Sequence, residues 1–176
     1  MQSREQQLVE LVDTAGSAAG TATVEEAHRA PGRLHRAFSV LLVDPDGRLL
    51  LQQRAAVKTR FALRWANSCC GHPGPGEPVV AAAARRLDEE LGVSTPLQEV
   101  GVYLYQAIDP DSGRVEFEYD HVLAGEYDGP VRADPGEVAR TDWVRPAELA
   151  ERLVRFPEFY APWLGGVLDA WRSAAR

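Results

Sequence analysis

Nine residues, Trp65-Ala66-Asn67-Ser68-Cys69-Cys70-Gly71-His72-Pro73, place a thiol two positions before an imidazole. The chain holds two Cys and four His in 176 residues, so Cys70-Gly71-His72 gathers scarce reactive groups. A thiol can be a nucleophile, a proton carrier or a metal ligand. An imidazole can be a base or a ligand. Two further imidazoles, His28 and His35, stand seven apart around a Pro31-Gly32 turn. Glu116 and Glu118 stand two apart in a strand-like stretch, which puts both carboxylates on one face. Three imidazoles and two carboxylates can hold Mn, Mg, Zn or Fe, and the nitrogen ligands favour a transition metal over Mg alone. One such His or Glu taken singly is ordinarily a surface or capping residue. The fourth histidine, His121, is left outside the set.

Gly71 also opens a longer pattern: five residues, Glu77, seven residues, Arg85-Arg86-Leu87, one residue, then Glu89-Glu90-Leu91-Gly92-Val93. On a helix Arg86 and Glu90 share a face, with Glu89 alongside. The pattern resembles the Nudix box, G-x5-E-x7-R-E-U-x-E-E-x-G-U with U a bulky aliphatic. The resemblance implies a helix face that collects carboxylates for a divalent cation on a diphosphate. Arg86 stands where one of those carboxylates is expected, which exchanges a metal ligand for a phosphate-binding cation.

The elements that must carry these residues can be read from periodicity. Residues 8–13 are expected as a short strand, with a turn at 14–17, and residues 37–43 as a buried strand. Asp44-Pro45-Asp46-Gly47 predicts a turn, and 48–54 the second arm of a hairpin. A basic loop follows with Arg54, Lys58, Arg60 and Arg64, and Cys70 and His72 are placed in a Gly/Pro-rich loop. Val79–Leu91 reads as a helix stopped by Gly92. Gln98–Ile108 and Val115–Glu126 read as strands around a turn at 109–114. A short strand is expected at 142–144, a helix from Pro146, and a last helix over 163–175. The expected fold is α/β (α+β), a mixed sheet covered by helices, in one domain over 1–176 with 1–23 as an N-terminal extension carrying a short strand.

The net charge of −7 disfavours a general binder of nucleic acid or anionic membrane, but not a local site for an anionic small molecule. There is no run of about 18 apolar residues, so no membrane span is expected. The first residues lack the order of a secretory signal. A disulfide between adjacent Cys69 and Cys70 would be strained, so both are expected as free thiols in a reducing, cytoplasmic setting.

Further segments extend the match. They are Ala27-His28-Arg29, Arg33-Leu34-His35-Arg36-Ala37-Phe38-Ser39, Gln53-Arg54-Ala55, Asn67 to Pro73, Gly76-Glu77, Arg85-Arg86, Glu90-Leu91-Gly92, Tyr105, Val115-Glu116-Phe117-Glu118 and Ala161-Pro162-Trp163. With these the chain resembles the type 1 isopentenyl-diphosphate Δ-isomerases, a Nudix-superfamily family of isoprenoid synthesis, from about residue 24 to 165. The resemblance implies a Nudix-like mixed sheet between helices, and the shift of a double bond that turns isopentenyl diphosphate into dimethylallyl diphosphate. It implies that His28, His35, His72, Glu116 and Glu118 hold Mn²⁺, Mg²⁺ or Zn²⁺. Glu90 is implied to help hold Mg²⁺ on the diphosphate, which Arg54, Lys58 and Arg86 contact. Cys70 is implied to work on one face of the alkene and Glu118 with Tyr105 on the other, with Trp163 facing the cationic centre. The implied partner is a prenyl diphosphate, with no nucleic acid and no membrane, and the implied state is a monomer with a homodimer as the alternative.

The chain departs from the family pattern in three places. Val24 stands where a phosphate-binding lysine is usual, Phe61-Ala62-Leu63-Arg64-Trp65 replaces W/F-P-G-x-W, and Phe117 replaces an Asn. Loss of one charge-assisted phosphate contact would cost about 1.5–3 kcal/mol, unless Arg60 or Arg64 supplies it. Competing readings are a Nudix pyrophosphohydrolase acting on a nucleoside diphosphate derivative, a divergent isomerase using a modified prenyl diphosphate, and a catalytically inactive sensor or metal-binding domain.

Overall fold

Every residue from 37 to 42 is buried, and the strand's two-residue period explains how. Phe38, Val40 and Leu42 pack into one apolar cluster, and Leu41 packs into another on the opposite side. A strand covered on both faces has to be apolar at successive positions. In the computed structural model, which describes residues 4–174, this strand is β3 (His35–Val43) at the centre of a nine-stranded mixed sheet. It runs parallel to β8 (Val115–Glu126), in register from His35↔Glu118 to Val43↔Glu126. On its other side it meets β6 (Cys69–Gly71), antiparallel, with Ser39 opposite Cys70.

Helix α2 (Val79–Leu91) covers one face through Ala82, Ala83, Leu87 and Leu91, and its alanines let it sit close to the sheet. It ends where Gly92 turns left-handed (φ 62°) and donates its N–H to the Asp88 carbonyl. Helix α4 (Leu164–Ala174) covers the other face with Leu164, Val167 and Leu168, over Leu41, Leu49 and Leu51. The expected mixed sheet between helices is thus the observed architecture. Helix α3 (Pro146–Arg155) opens on its proline, and β7 (Gln98–Ile108) pairs antiparallel with β8 with the bounds read from the sequence. Residue 175 of the last expected helix lies outside the described residues.

Several elements differ from expectation. The hairpin at 44–47 closes, but its arms separate at once: β3 meets β4 (Leu49–Arg54) only at Val43↔Leu49. The Asp44 carboxylate binds the turn's backbone and Arg48, which fixes the bend. β4 then pairs with β9 (Val138–Val144), longer than the 142–144 expected, and with β5 (Trp65–Ala66). Before Val24 there are two strands, β1 (Leu8–Val12) and β2 (Ala18–Thr23), paired antiparallel. Helix α1 (Val24–His28) has no counterpart in the sequence reading. Its start is a capping box: Thr23 Oγ1 accepts from Glu26 N, and Glu26 Oε2 accepts from Thr23 N. Cys70 does not sit in a loop but in β6, and the loop begins after Gly71.

Candidate active site and metal centre

Placing Cys70 on a strand decides where both thiols point. Successive side chains of β6 face opposite ways. Cys69 is fully buried in the cluster under α2, whereas Cys70 lines a cavity of about 350 Å³ on the other side. Burial pushes the Cys70 thiol up to about 12, so it holds its proton at neutral pH. Its sulfur lies 3.1 Å from Asn67 Oδ1 and 3.9 Å from Ser39 Oγ.

The register across three strands assembles the other reactive groups. His35 of β3 pairs with Glu118 of β8, and Glu118 pairs with Tyr105 of β7. The Tyr105 hydroxyl donates to Glu118 Oε2 at 2.6 Å, and Glu118 Oε1 lies 2.9 Å from His72 Nε2. Tyr105 is held by stacking on Tyr103, at 5.3 Å between centroids. Gly166 makes room for Tyr103, because a Cβ there would meet the phenol ring at 2.1 Å. Trp163 and Arg54 complete the wall, with the Arg54 guanidinium 5.6 Å over the indole. Arg54 also donates twice to the Arg60 carbonyl, at 3.2 and 2.9 Å.

His28, at the end of α1, joins His35, His72, Glu116 and Glu118 so that their ligand atoms all lie within 4.8 Å of one another. The Nδ1 atoms of His28 and His35 each lie 2.7 Å from a backbone carbonyl, Val24 O and Arg33 O. A ring that donates from Nδ1 offers its Nε2 lone pair to a ligand. His35 Nε2 is buried and has no hydrogen-bond partner among the described residues; a Glu118 carboxylate oxygen lies 3.6 Å away. Burial pushes His72 down to about 4, so it is neutral at physiological pH, the form that binds metal. Burial also opposes charge on Glu116, but His28 and Arg60 hold its carboxyl well below the usual range. The donor set of orphaned nitrogen, neutral imidazole and ionised carboxylates fits a divalent cation of the transition series.

The helix face carrying Arg86 is organised differently. Arg86 lies against Glu89 and Glu90 and 3.4 Å from Glu137. Lys58 Nζ lies 2.5 Å from Glu137 Oε2. Lys58, Arg86 and Glu137 line the cavity; Glu90 is buried behind it, bonded by Arg86 and by Gln52 Nε2 at 3.0 Å. The N-terminal turn Arg4–Gln6 closes over this end. Arg4 pairs with Glu137 at 2.7 Å, and Glu5 accepts from Arg60 at 2.9 Å. Arg60 in turn donates to Glu116 and lines the same cavity as Val24, whereas Arg64 pairs with Asp111 at 3.9 Å.

The sequence reading missed three buried groups here. Asp120 continues the face of Glu116 and Glu118, a signal present in the two-residue spacing. Its carboxyl is pushed well above the ordinary range by burial and by Glu118, and it accepts from Ser39 Oγ at 2.7 Å. Asn67 touches both Cys70 and Trp163. Glu137 sits in a turn with no pattern to mark it.

Comparison with known proteins agrees with this geometry. A family model described as NUDIX domain matches residues 33–164. An isopentenyl-diphosphate Delta-isomerase of Nocardia farcinica is 62% identical over 168 residues, 96% of each chain. One of Streptomyces coelicolor is 53% identical over 170 residues, covering 96% of this chain and 85% of that protein. In fold, the DR0079 protein of Deinococcus radiodurans superposes with a TM-score of 0.76 at 19% identity, over 97% of this chain and all of that one. A MutT NUDIX hydrolase of Burkholderia pseudomallei superposes at 0.59 and 22% identity, over 78% of this chain and 97% of that one.

Proposed function

The chain belongs to the isopentenyl-diphosphate Delta-isomerases of the NUDIX family, and from that premise we propose that it converts isopentenyl diphosphate to dimethylallyl diphosphate. One observation carries the reading: Cys70, Glu118 with Tyr105, and Trp163 line a single cavity that Lys58 and Arg86 also line. A pyrophosphohydrolase has no use for a thiol and an indole there, and Arg86 replaces a carboxylate of its metal site.

Protonating an unactivated alkene produces a tertiary carbocation, which needs a positioned acid, a base on the other face and exclusion of water. Cys70 and Glu118 are assigned these two positions. One gives a proton to the terminal methylene carbon, the other takes one from the carbon beside the cation, and exchange with solvent resets the pair. Tyr105 fixes the carboxyl by its hydrogen bond. The Trp163 ring face stabilises the cation, by about 2 kcal/mol or more when desolvated.

His28, His35, His72, Glu116 and Glu118 would hold Mn²⁺, Mg²⁺ or Zn²⁺, which when bound fixes and polarises the Glu118 carboxyl. Glu90 is assigned to a Mg²⁺ on the diphosphate, with Glu137 as a closer carboxylate at the cavity wall. With that ion held there, Arg86, Lys58 and Arg54 would be the side chains that contact phosphate oxygens. We further assign the enzyme to the cytoplasm, in line with two free thiols, as a monomer with a homodimer as the alternative.

The test is NMR of isopentenyl diphosphate in deuterated buffer with the metal-replete enzyme, with and without chelator. The expected result is dimethylallyl diphosphate carrying solvent deuterium, lost on chelation. No turnover sinks the isomerase reading, and release of phosphate or a nucleoside monophosphate across a substrate panel would favour the hydrolase.

A further inference from the structure

Asn67 is wholly buried, and its side-chain amide makes four hydrogen bonds. Nδ2 donates to the carbonyls of Val40 at 3.2 Å and Cys69 at 2.8 Å. Oδ1 accepts from Cys70 Sγ at 3.1 Å and from Trp163 Nε1 at 3.0 Å. An amide has two N–H donors and two acceptor lone pairs, so this one is filled. Its orientation follows from the partners. Flipped, it would set N–H against the indole N–H and its oxygen against two carbonyl oxygens. The two donated bonds therefore anchor the amide to β3 and β6 and aim its oxygen at the cavity wall.

We propose that Asn67 is a positioning residue for the isomerisation: one carbonyl oxygen fixes the Cys70 sulfur and the Trp163 indole relative to each other. The inference rests on the isomerase reading above, in which both groups face the alkene. Each needs such a restraint. A cysteine side chain has three staggered positions, and only one puts sulfur where a given carbon can be reached. The indole is packed by Phe61, edge-on at 5.4 Å, and by Arg54, contacts that permit tilt. Asn67 supplies its one hydrogen bond among the described residues, from a partner 96 positions away in the chain. A rigid common oxygen keeps thiol and ring face in register while the double bond moves between carbons. Displacement by about 1 Å in such an arrangement costs about 10²-fold in rate.

The test uses the full-length, metal-loaded enzyme and three forms of position 67. In the wild type labelled with ¹⁵N-tryptophan, the Trp163 indole resonance, assigned with Trp163→Phe, is expected downfield and slow to exchange. In Asn67→Ala it is expected to move upfield, with kcat down about 10²-fold and the KM for isopentenyl diphosphate within about threefold, since Asn67 touches no group assigned to the diphosphate. Asn67→Gln keeps both the accepting oxygen and the N–H donors of an amide and is expected to recover part of the lost kcat with the resonance downfield. An Asn67→Ala enzyme with wild-type kcat, or one whose kcat falls while the indole resonance stays, overturns the inference. So does a fall in kcat matched by an equal rise in KM. If Asn67→Ala does not fold, an upfield, fast-exchanging Trp163 resonance in the wild type or in Asn67→Gln overturns it equally. Absence of turnover in the wild type sinks the isomerase reading alone, because the indole readout does not depend on it.

Discussion

The two charged clusters that reach the cavity solve the problem of buried charge in opposite ways. At one, His28, His35, His72, Glu116 and Glu118 bring lone pairs and negative charge together with Arg60 as the cation at hand, and among the described residues His35 Nε2 is left without a partner. At the other, Arg86, Lys58 and Arg4 are matched against Glu89, Glu90 and Glu137 until each charge has an opposite. A group of converging acceptors is stable only around a cation. A closed set of ion pairs is stable by itself and opens only when a stronger ion competes. On the function proposed above, the first cluster would keep one ion and the second would exchange ions with each substrate.

The sharpest way to break this contrast is at the reacting groups. Cys70→Ala and Glu118→Gln are each expected to lower turnover by more than about 10³-fold with the fold intact by circular dichroism; near-normal activity in either removes that residue's role. Next comes the exchange cluster. Arg86→Leu strips a buried cation from Glu90 and is expected to cost about 3 kcal/mol in urea unfolding; a loss below about 1 kcal/mol would mean that the pairs there are surface-like.

The resident cluster is tested by metal. Stripped protein given Mn²⁺ or Zn²⁺ at about 100 times its Kd should gain about 2.7 kcal/mol, seen as a higher Tm. His35→Ala should lose that gain, and an unchanged Tm in the parent would end the metal assignment. Lys58→Ala should raise the KM for substrate about tenfold with little change in kcat; an unmoved KM would leave Lys58 structural.

The smallest effect concerns pH. Burial by itself would raise the Glu137 carboxyl, but Lys58, Arg86 and Arg4 hold it below its ordinary 4.5. Folded protein thus binds this proton less readily than unfolded chain. Its contribution is full above about pH 4.5 and disappears as pH falls through the lower folded value. The stability gap between wild type and Glu137→Gln should be widest near neutrality and narrow in acid; a gap independent of pH would argue that Glu137 acts by shape alone.

How far the sequence could be read follows the range of the forces involved. Helix α2, its Gly92 stop and the long strands β7 and β8 are written in local periodicity, and their bounds agree. The five metal-site residues were identifiable through resemblance, and the structure brings them together. A three-residue strand such as Cys69–Gly71 shows no period, so its pairing with β3, which turns one thiol to the core and the other to the cavity, was invisible. Glu90 illustrates the limit of helical spacing. It lies on the face expected, but Gln52 from a distant strand and Arg86 enclose it, while Glu137 reaches the cavity from a turn. Asn67 stood in the quoted motif, yet its task depends on Trp163, near the other end of the chain.

The parallel pairing of β3 with β8 has a consequence for how the chain folds. His28 and Glu116, neighbours in the metal centre, are 88 positions apart. Contacts of that range demand loop closure before they return any stability, so they form late. On the ribosome both early histidines emerge long before the glutamates, with no complete ligand set to offer an ion. Capture of an ion by this ligand set would therefore mark the completion of folding and have no part in starting it.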